Sequence, residues 1–217
     1  MKRENHALQF LYIILLSLQV PFNLCYLRIG LTQMEKGKAV VLYLIIATLF
    51  FAVVGILGIL NVVKGFRAYR SDDLEYCLSA MLKLKYGLVP FFVLNLIGMS
   101  LLFFLALVAS RGTIILMFPM VVFFVGVGVV CTWLVMLPGS FYAFQIVRFA
   151  EREKKITRGW LIIHTILQCL FLVDVMDAAY LAIKYWDRGK RGAFVIGSIY
   201  ILALLICVVG IIAMFEW

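Results

Sequence analysis

Charge is what this chain has least of. Only 14% of its 217 residues are Asp, Glu, Lys or Arg, and just 11 of them are acidic. Soluble domains carry about 25% charged and roughly 45–50% apolar residues. Here the apolar share is 65% and the mean hydropathy is +1.10, so an ordinary soluble domain is excluded. Histidine occurs only as His6 and His164. The cysteines, Cys25, Cys77, Cys131, Cys169 and Cys207, form no C-x-x-C and stand at no zinc spacing from a histidine. That argues against a disulfide framework and against a metal site, and favours buried free thiols. Catalytic signatures are missing too: there is no G-x-S-x-G, no H-E-x-x-H, no P-loop and no potassium-channel filter. No cofactor and no metal are expected.

The formal charge of +9 does not point to nucleic acid. The bases cluster in short segments between apolar runs, as cytoplasmic loops facing anionic lipid do. The partner implied is the lipid bilayer, with room for another membrane protein or a second copy of the chain.

Six apolar segments follow one another, at about 7–27, 39–63, 87–110, 114–137, 160–186 and 193–215. The first begins like a signal sequence but lacks a small-residue cleavage site, so it reads as an uncleaved span or an interfacial helix. Ala39 to Val63 holds 25 uncharged residues, enough to cross a hydrocarbon core of about 30 Å with some tilt. Its Ala52, Gly55 and Gly58 suggest close helix packing. Asp72 with Glu75 resembles a capping box, and Leu74, Cys77, Leu78, Met81 and Leu82 recur at helical spacing. An amphipathic helix over about 72–85, lying on the membrane or on the bundle, is predicted. Gly87 and Pro90 are expected to separate it from the third span. Arg111-Gly-Thr113 leaves only a tight hairpin before the fourth, and Pro138-Gly139 should bend or stop that one. The fold class expected is all-α: a polytopic membrane helix bundle with five to six transmembrane helices plus one amphipathic interfacial helix, in a single domain.

With six spans and the N-terminus inside, twelve Lys and Arg fall inside and eight outside. The excess favours a cytoplasmic N-terminus. The four bases of Lys184–Arg191 are awkward in this count, because a re-entrant fifth segment would move them inside and give sixteen to four. Trp160 and Trp186, 26 residues apart, or about 39 Å as straight helix, match the spacing of two interfaces and favour crossing.

The polar residues of that fifth segment are the candidate site. Asp174 falls near its centre, where a charge costs roughly 2.5–3.5 kcal/mol on insertion scales. On a helical wheel Asp174, Asp177, Leu181, Lys184 and Arg188 share a stripe of about 80°, with His164 and Gln168 on a neighbouring face. One reading has the acids locking helix packing against polar groups such as Asn61, Asn95, Ser100, Thr132 or Arg111. A second makes them a proton or cation site, because two carboxylates one turn apart in a dry medium cannot both ionise cheaply. A third notes that Asp174-x-x-Asp177 resembles the start of the metal motif of CDP-alcohol phosphatidyltransferases. That motif continues with glycine, alanine-arginine and two more acids. Here Ala178 replaces the glycine, Leu181 and Ala182 replace the alanine-arginine, and the later acids are absent.

Leu137-Pro-Gly-Ser-Phe-Tyr142 and Ile163-His-Thr-Ile-Leu-Gln-Cys-Leu-Phe-Leu-Val-Asp-Val-Met-Asp177, taken together, resemble small uncharacterised multi-pass membrane proteins of low-GC Gram-positive bacteria. The likeness covers the last third to half of the chain. It implies a bacterial plasma membrane and nothing about activity. The expected role is a non-enzymatic partner, accessory or protective subunit. The alternatives are a small proton- or cation-coupled transporter using Asp174 and Asp177 and, remotely, a membrane phosphatidyltransferase.

Overall fold

A computed structural model describes residues 6–32, 36–98, 114–170, 173–199 and 201–202. The described residues form helices joined by short connectors, without strands. In chain order the helices are α1 (Ala7–Thr32), α2 (Lys36–Arg70), α3 (Leu74–Gly87), α4 (89–98), α5 (Ile114–Arg152), α6 (Arg158–Leu167), α7 (Val173–Trp186) and α8 (190–199). Three stretches are long and apolar enough to cross a membrane: Val40–Arg70, Leu74–Gly98 and Val125–Arg152. The expected turn at 111–113, the end of the third segment, most of the sixth, Ser100 and Cys207 lie outside the described residues.

The chain divides into two compact units, Met1–Gln145 and Ile146–Trp217. In the first, α1, α2 and α3 pack on one another. The packed face of α2 carries Val54, Leu57, Gly58, Asn61 and Ala68, spaced at the three and four residues that line one side of a helix. Of the expected small-residue strip, only Gly58 takes part, against the Pro138 ring; Ala52 is exposed and a Cβ on Gly55 would meet nothing.

Helix α3 takes the second of its two expected places, on the bundle: Tyr76, Cys77, Leu78, Ala80, Met81, Leu84 and Lys85 are buried, and it packs on α1 and α2. By length and composition Leu74–Gly98 also forms a candidate span with α4. Gly87 ends α3 as expected, and the single turn residue Leu88 separates it from α4. Leu88 donates back to Leu84 and Phe92 to Leu88, while Pro90 falls in the first turn of α4, where its missing N–H costs little. Gly87 also admits α1, for a Cβ there would lie 2.5 Å from Ile13 Cδ1. The cap is shifted by one residue. Asp73, not Asp72, accepts from Tyr76 N at 3.0 Å. Asp72 closes α2 in left-handed geometry, φ 60, so that Asp73 N reaches Ala68 O, a Schellman ending.

Pro138-Gly139 does not stop α5, which runs through both Pro119 and Pro138. A helix-interior proline leaves the carbonyl four residues back without its donor and crowds the next. Near this point Tyr12 Oη donates to Val135 O at 3.0 Å, tying α1 to α5 one residue past the carbonyl that the proline leaves without a donor.

The second unit differs most from expectation. Segment 160–186 is not one helix. It is α6 and α7, of 10 and 14 residues, folded back on each other, and the longer reaches only about 21 Å. Lys155 Nζ donates to Tyr185 O at 3.1 Å and lies 4.8 Å from the Trp186 ring. The end of the hairpin therefore returns to its beginning. Val147 and Ala150 of α5, with Ile156 and Leu181, form a core there, flanked by Leu161, Tyr185 and Trp186. The two tryptophans are accordingly not the two ends of one helix: Trp160 lies in the first turn of α6 and Trp186 closes α7 at the same end.

Candidate functional site

Folding α7 back on α6 brings together three of the five expected site residues. Asp177 stands on α7, with 6% of its surface exposed. One carboxylate oxygen lies 2.5 Å from His164 Nδ1, and the other accepts from Gln168 Nε2 at 2.7 Å. A carboxylate only accepts, so Nδ1 carries the proton of that bond. In one continuous helix His164 and Asp177 would stand about 20 Å apart; the reversal after Gln168 makes the contact. Cys169 N reaches Ile166 O and Leu170 N reaches Leu167 O, tightening the last turn of α6 without glycine or proline.

The imidazole is also held by rings. Trp160 and Tyr180 have centroids 5.8 Å from it, tilted and stacked respectively. Neither ring was expected at the site, yet both were legible as spacing: Trp160 precedes His164 by one helical turn, and Tyr180 follows Asp177 by nearly one. His164 Nε2 is buried and meets no hydrogen-bond partner among the described residues. Asp174 is buried on the same helix, at 2% exposure. Lys184 is not part of the group. It is exposed at the open end of the hairpin, bonded to Tyr180 Oη and lying over the Tyr180 and Tyr185 rings. Among the described residues no three His, Cys, Asp or Glu side chains gather as metal ligands.

A second buried polar group lies in the first unit, and the sequence reading missed it. Gln9 Nε2 donates to Tyr76 Oη at 2.8 Å and to Tyr142 Oη at 3.0 Å, joining α1, α3 and α5. His6 stacks on Tyr76 at 5.0 Å. Lys85, 3% exposed, donates to Ser140 Oγ at 2.9 Å. The only sequence sign was polarity: Gln9 lowers the hydropathy of the first segment, and Lys85 stands on the otherwise apolar side of α3.

Chemically, the His164–Asp177–Gln168 group is a carboxylate held at both oxygens by its own hairpin. It holds the imidazole in one orientation, and the nearby Cys169 Sγ donates to Thr165 O at 3.6 Å. No curated protein and no solved structure matches the chain. Over residues 2–188 it matches one family model, and on that extent the chain belongs to a family of unknown function, DUF6652.

Proposed function

We propose that this chain is a multi-pass protein of the bacterial plasma membrane, with a cytoplasmic N-terminus and five or six crossings. It acts without chemistry of its own, as a membrane-embedded partner, accessory or protective subunit of another membrane component. One observation carries the reading. Asp177, one of the two buried acids of the fifth segment, is bonded at both oxygens by His164 and Gln168, so it serves to hold the hairpin closed. The exposed surface of α2 supports it further, since only 11% of the most apolar window of Val40–Arg70 is buried. That leaves a long apolar face for lipid or another helix.

A second reading follows from His164 Nε2, which is buried without a partner among the described residues. An imidazole backed by a carboxylate is a proton carrier, and a coupled transporter would use it. Reconstitution separates the two. Liposomes holding the purified protein and a pH-sensitive dye should keep an imposed proton gradient as well as empty ones do. Flux that disappears in the Asp174→Asn/Asp177→Asn double variant, with assembly intact, would replace the first reading by the second. A photo-crosslinker at Ile59, 65% exposed, should give a discrete protein adduct in native membranes; adducts with lipid alone count against a partner.

A further inference from the structure

The α6–α7 hairpin is basic at its open end and apolar along its outer flank. Lys154, Lys155, Arg158, Lys184, Arg188 and Arg191 are all exposed around that end. From Arg148 to Arg191 nine bases face only three acids besides the buried Asp174 and Asp177. Two of those acids pair locally, Glu153 with Lys155 at 2.7 Å and Asp187 with Lys190. Aromatic rings stand beside the bases: Lys155 lies over Trp186, and Lys184 lies over Tyr180 and Tyr185. Indoles and snorkelling lysines prefer the headgroup level of a bilayer. Away from that end Ile162, Ile166, Val173 and Met176 are 38–64% exposed, a surface that water penalises in proportion to its area. The polar side chains of the hairpin face inward, with His164, Gln168, Asp174 and Asp177 all buried.

We propose that α6–α7 is a re-entrant hairpin. It enters the bilayer from the side on which α5 ends, turns inside the hydrocarbon and returns to the same side, where its basic end binds the phosphates of anionic phospholipid headgroups. The inference rests on the membrane reading above. The length fits, because a helix of about 21 Å passes the middle of a core of about 30 Å without crossing it. The charge fits as well. With Lys83 and Lys85 left out because they lie within Leu74–Gly98, placing Lys184, Arg188, Lys190 and Arg191 with the N-terminus changes the count of bases from ten against eight to fourteen against four, a much stronger cytoplasmic excess. The cytoplasmic leaflet is also where anionic lipid lies, and it attracts each nearby base by about fivefold in binding.

The test uses the full chain in two arms. Single cysteines introduced as Lys154→Cys or Arg191→Cys into a cysteine-free background are labelled with a membrane-impermeant maleimide, in right-side-out and inside-out vesicles. Should the cysteine-free chain not fold, a background retaining buried Cys77 serves. Both positions should label from the same side; labelling from opposite sides overturns the hairpin. In the second arm, association of spin-labelled phosphatidylglycerol is compared with that of phosphatidylcholine. The Arg158→Gln/Lys184→Gln/Arg191→Gln variant should lose its preference for phosphatidylglycerol by about fivefold or more, and an unchanged preference overturns the headgroup site. If inorganic phosphate abolishes the preference while chloride at equal ionic strength does not, the site takes free anions and the lipid assignment falls. Extraction of the protein by alkaline carbonate would sink the membrane reading itself, an outcome distinct from cross-sided labelling in a chain that stays in the bilayer.

Discussion

Asp177 shows how one residue organises its surroundings in an apolar medium. Its two oxygens take the His164 and Gln168 donors, and neither donor has water to fall back on. Replacing it by alanine leaves two buried N–H groups without acceptors, so Asp177→Ala should lower stability by about 3 kcal/mol. Thermal unfolding in detergent, followed by circular dichroism, measures this loss. Asp177→Asn keeps the size and one acceptor and should cost clearly less. Tyr12 is a smaller case of the same kind. Its hydroxyl serves one carbonyl beside Pro138, and Tyr12→Phe should cost about 1 kcal/mol, near the average for hydrogen bonds between membrane helices.

Among the elements, helix ends and close crossings govern what forms. Asp73 accepts from Tyr76 N at the start of α3, and Asp73→Ala should destabilise the protein by about 1 kcal/mol. The same substitution at Asp72 should not reproduce that loss through capping, because Asp72 ends α2 instead. Both residues were legible as a helix boundary, but the sequence Ser71-Asp-Asp73 does not say which acid caps; that follows from the left-handed turn at Asp72. Gly87 reads in sequence as a helix boundary, which it is, and it is also a close contact with Ile13. Gly87→Leu should therefore loosen α1 from α3 and cost about 1–3 kcal/mol. Increased labelling of Cys77, at present buried, would report it, and unchanged protection would contradict the crossing.

At the scale of the whole molecule, the apolar composition was sufficient to expect helices long enough to cross a membrane, and three are present among the described residues. The length of α5 was less legible. Pro138-Gly139 reads as a bend or a stop, and the helix continues through it to Arg152. The His164–Asp177–Gln168 group was half legible: its members were selected as unusual polar residues in an apolar run, and their partnership was not. Lys184 was selected with them by its place on the helical wheel, which gives direction around a helix and not position along it: Lys184 shares α7 with Asp177 but lies two turns on, at the exposed end.

Hydropathy adds up residue by residue, so local composition by itself determined the helical class, the apolar segments and the positions of the basic connectors. Whether segment 160–186 crosses or turns back was decided by tertiary structure. Nothing between Gln168 and Val173 demands a break, since no glycine or proline stands there. The turn becomes favourable only once it lets Asp177 meet His164 and Gln168, and Leu181 meet Val147 and Ala150. Those energies belong to pairs far apart in the chain, and they exist only after the fold has brought them together.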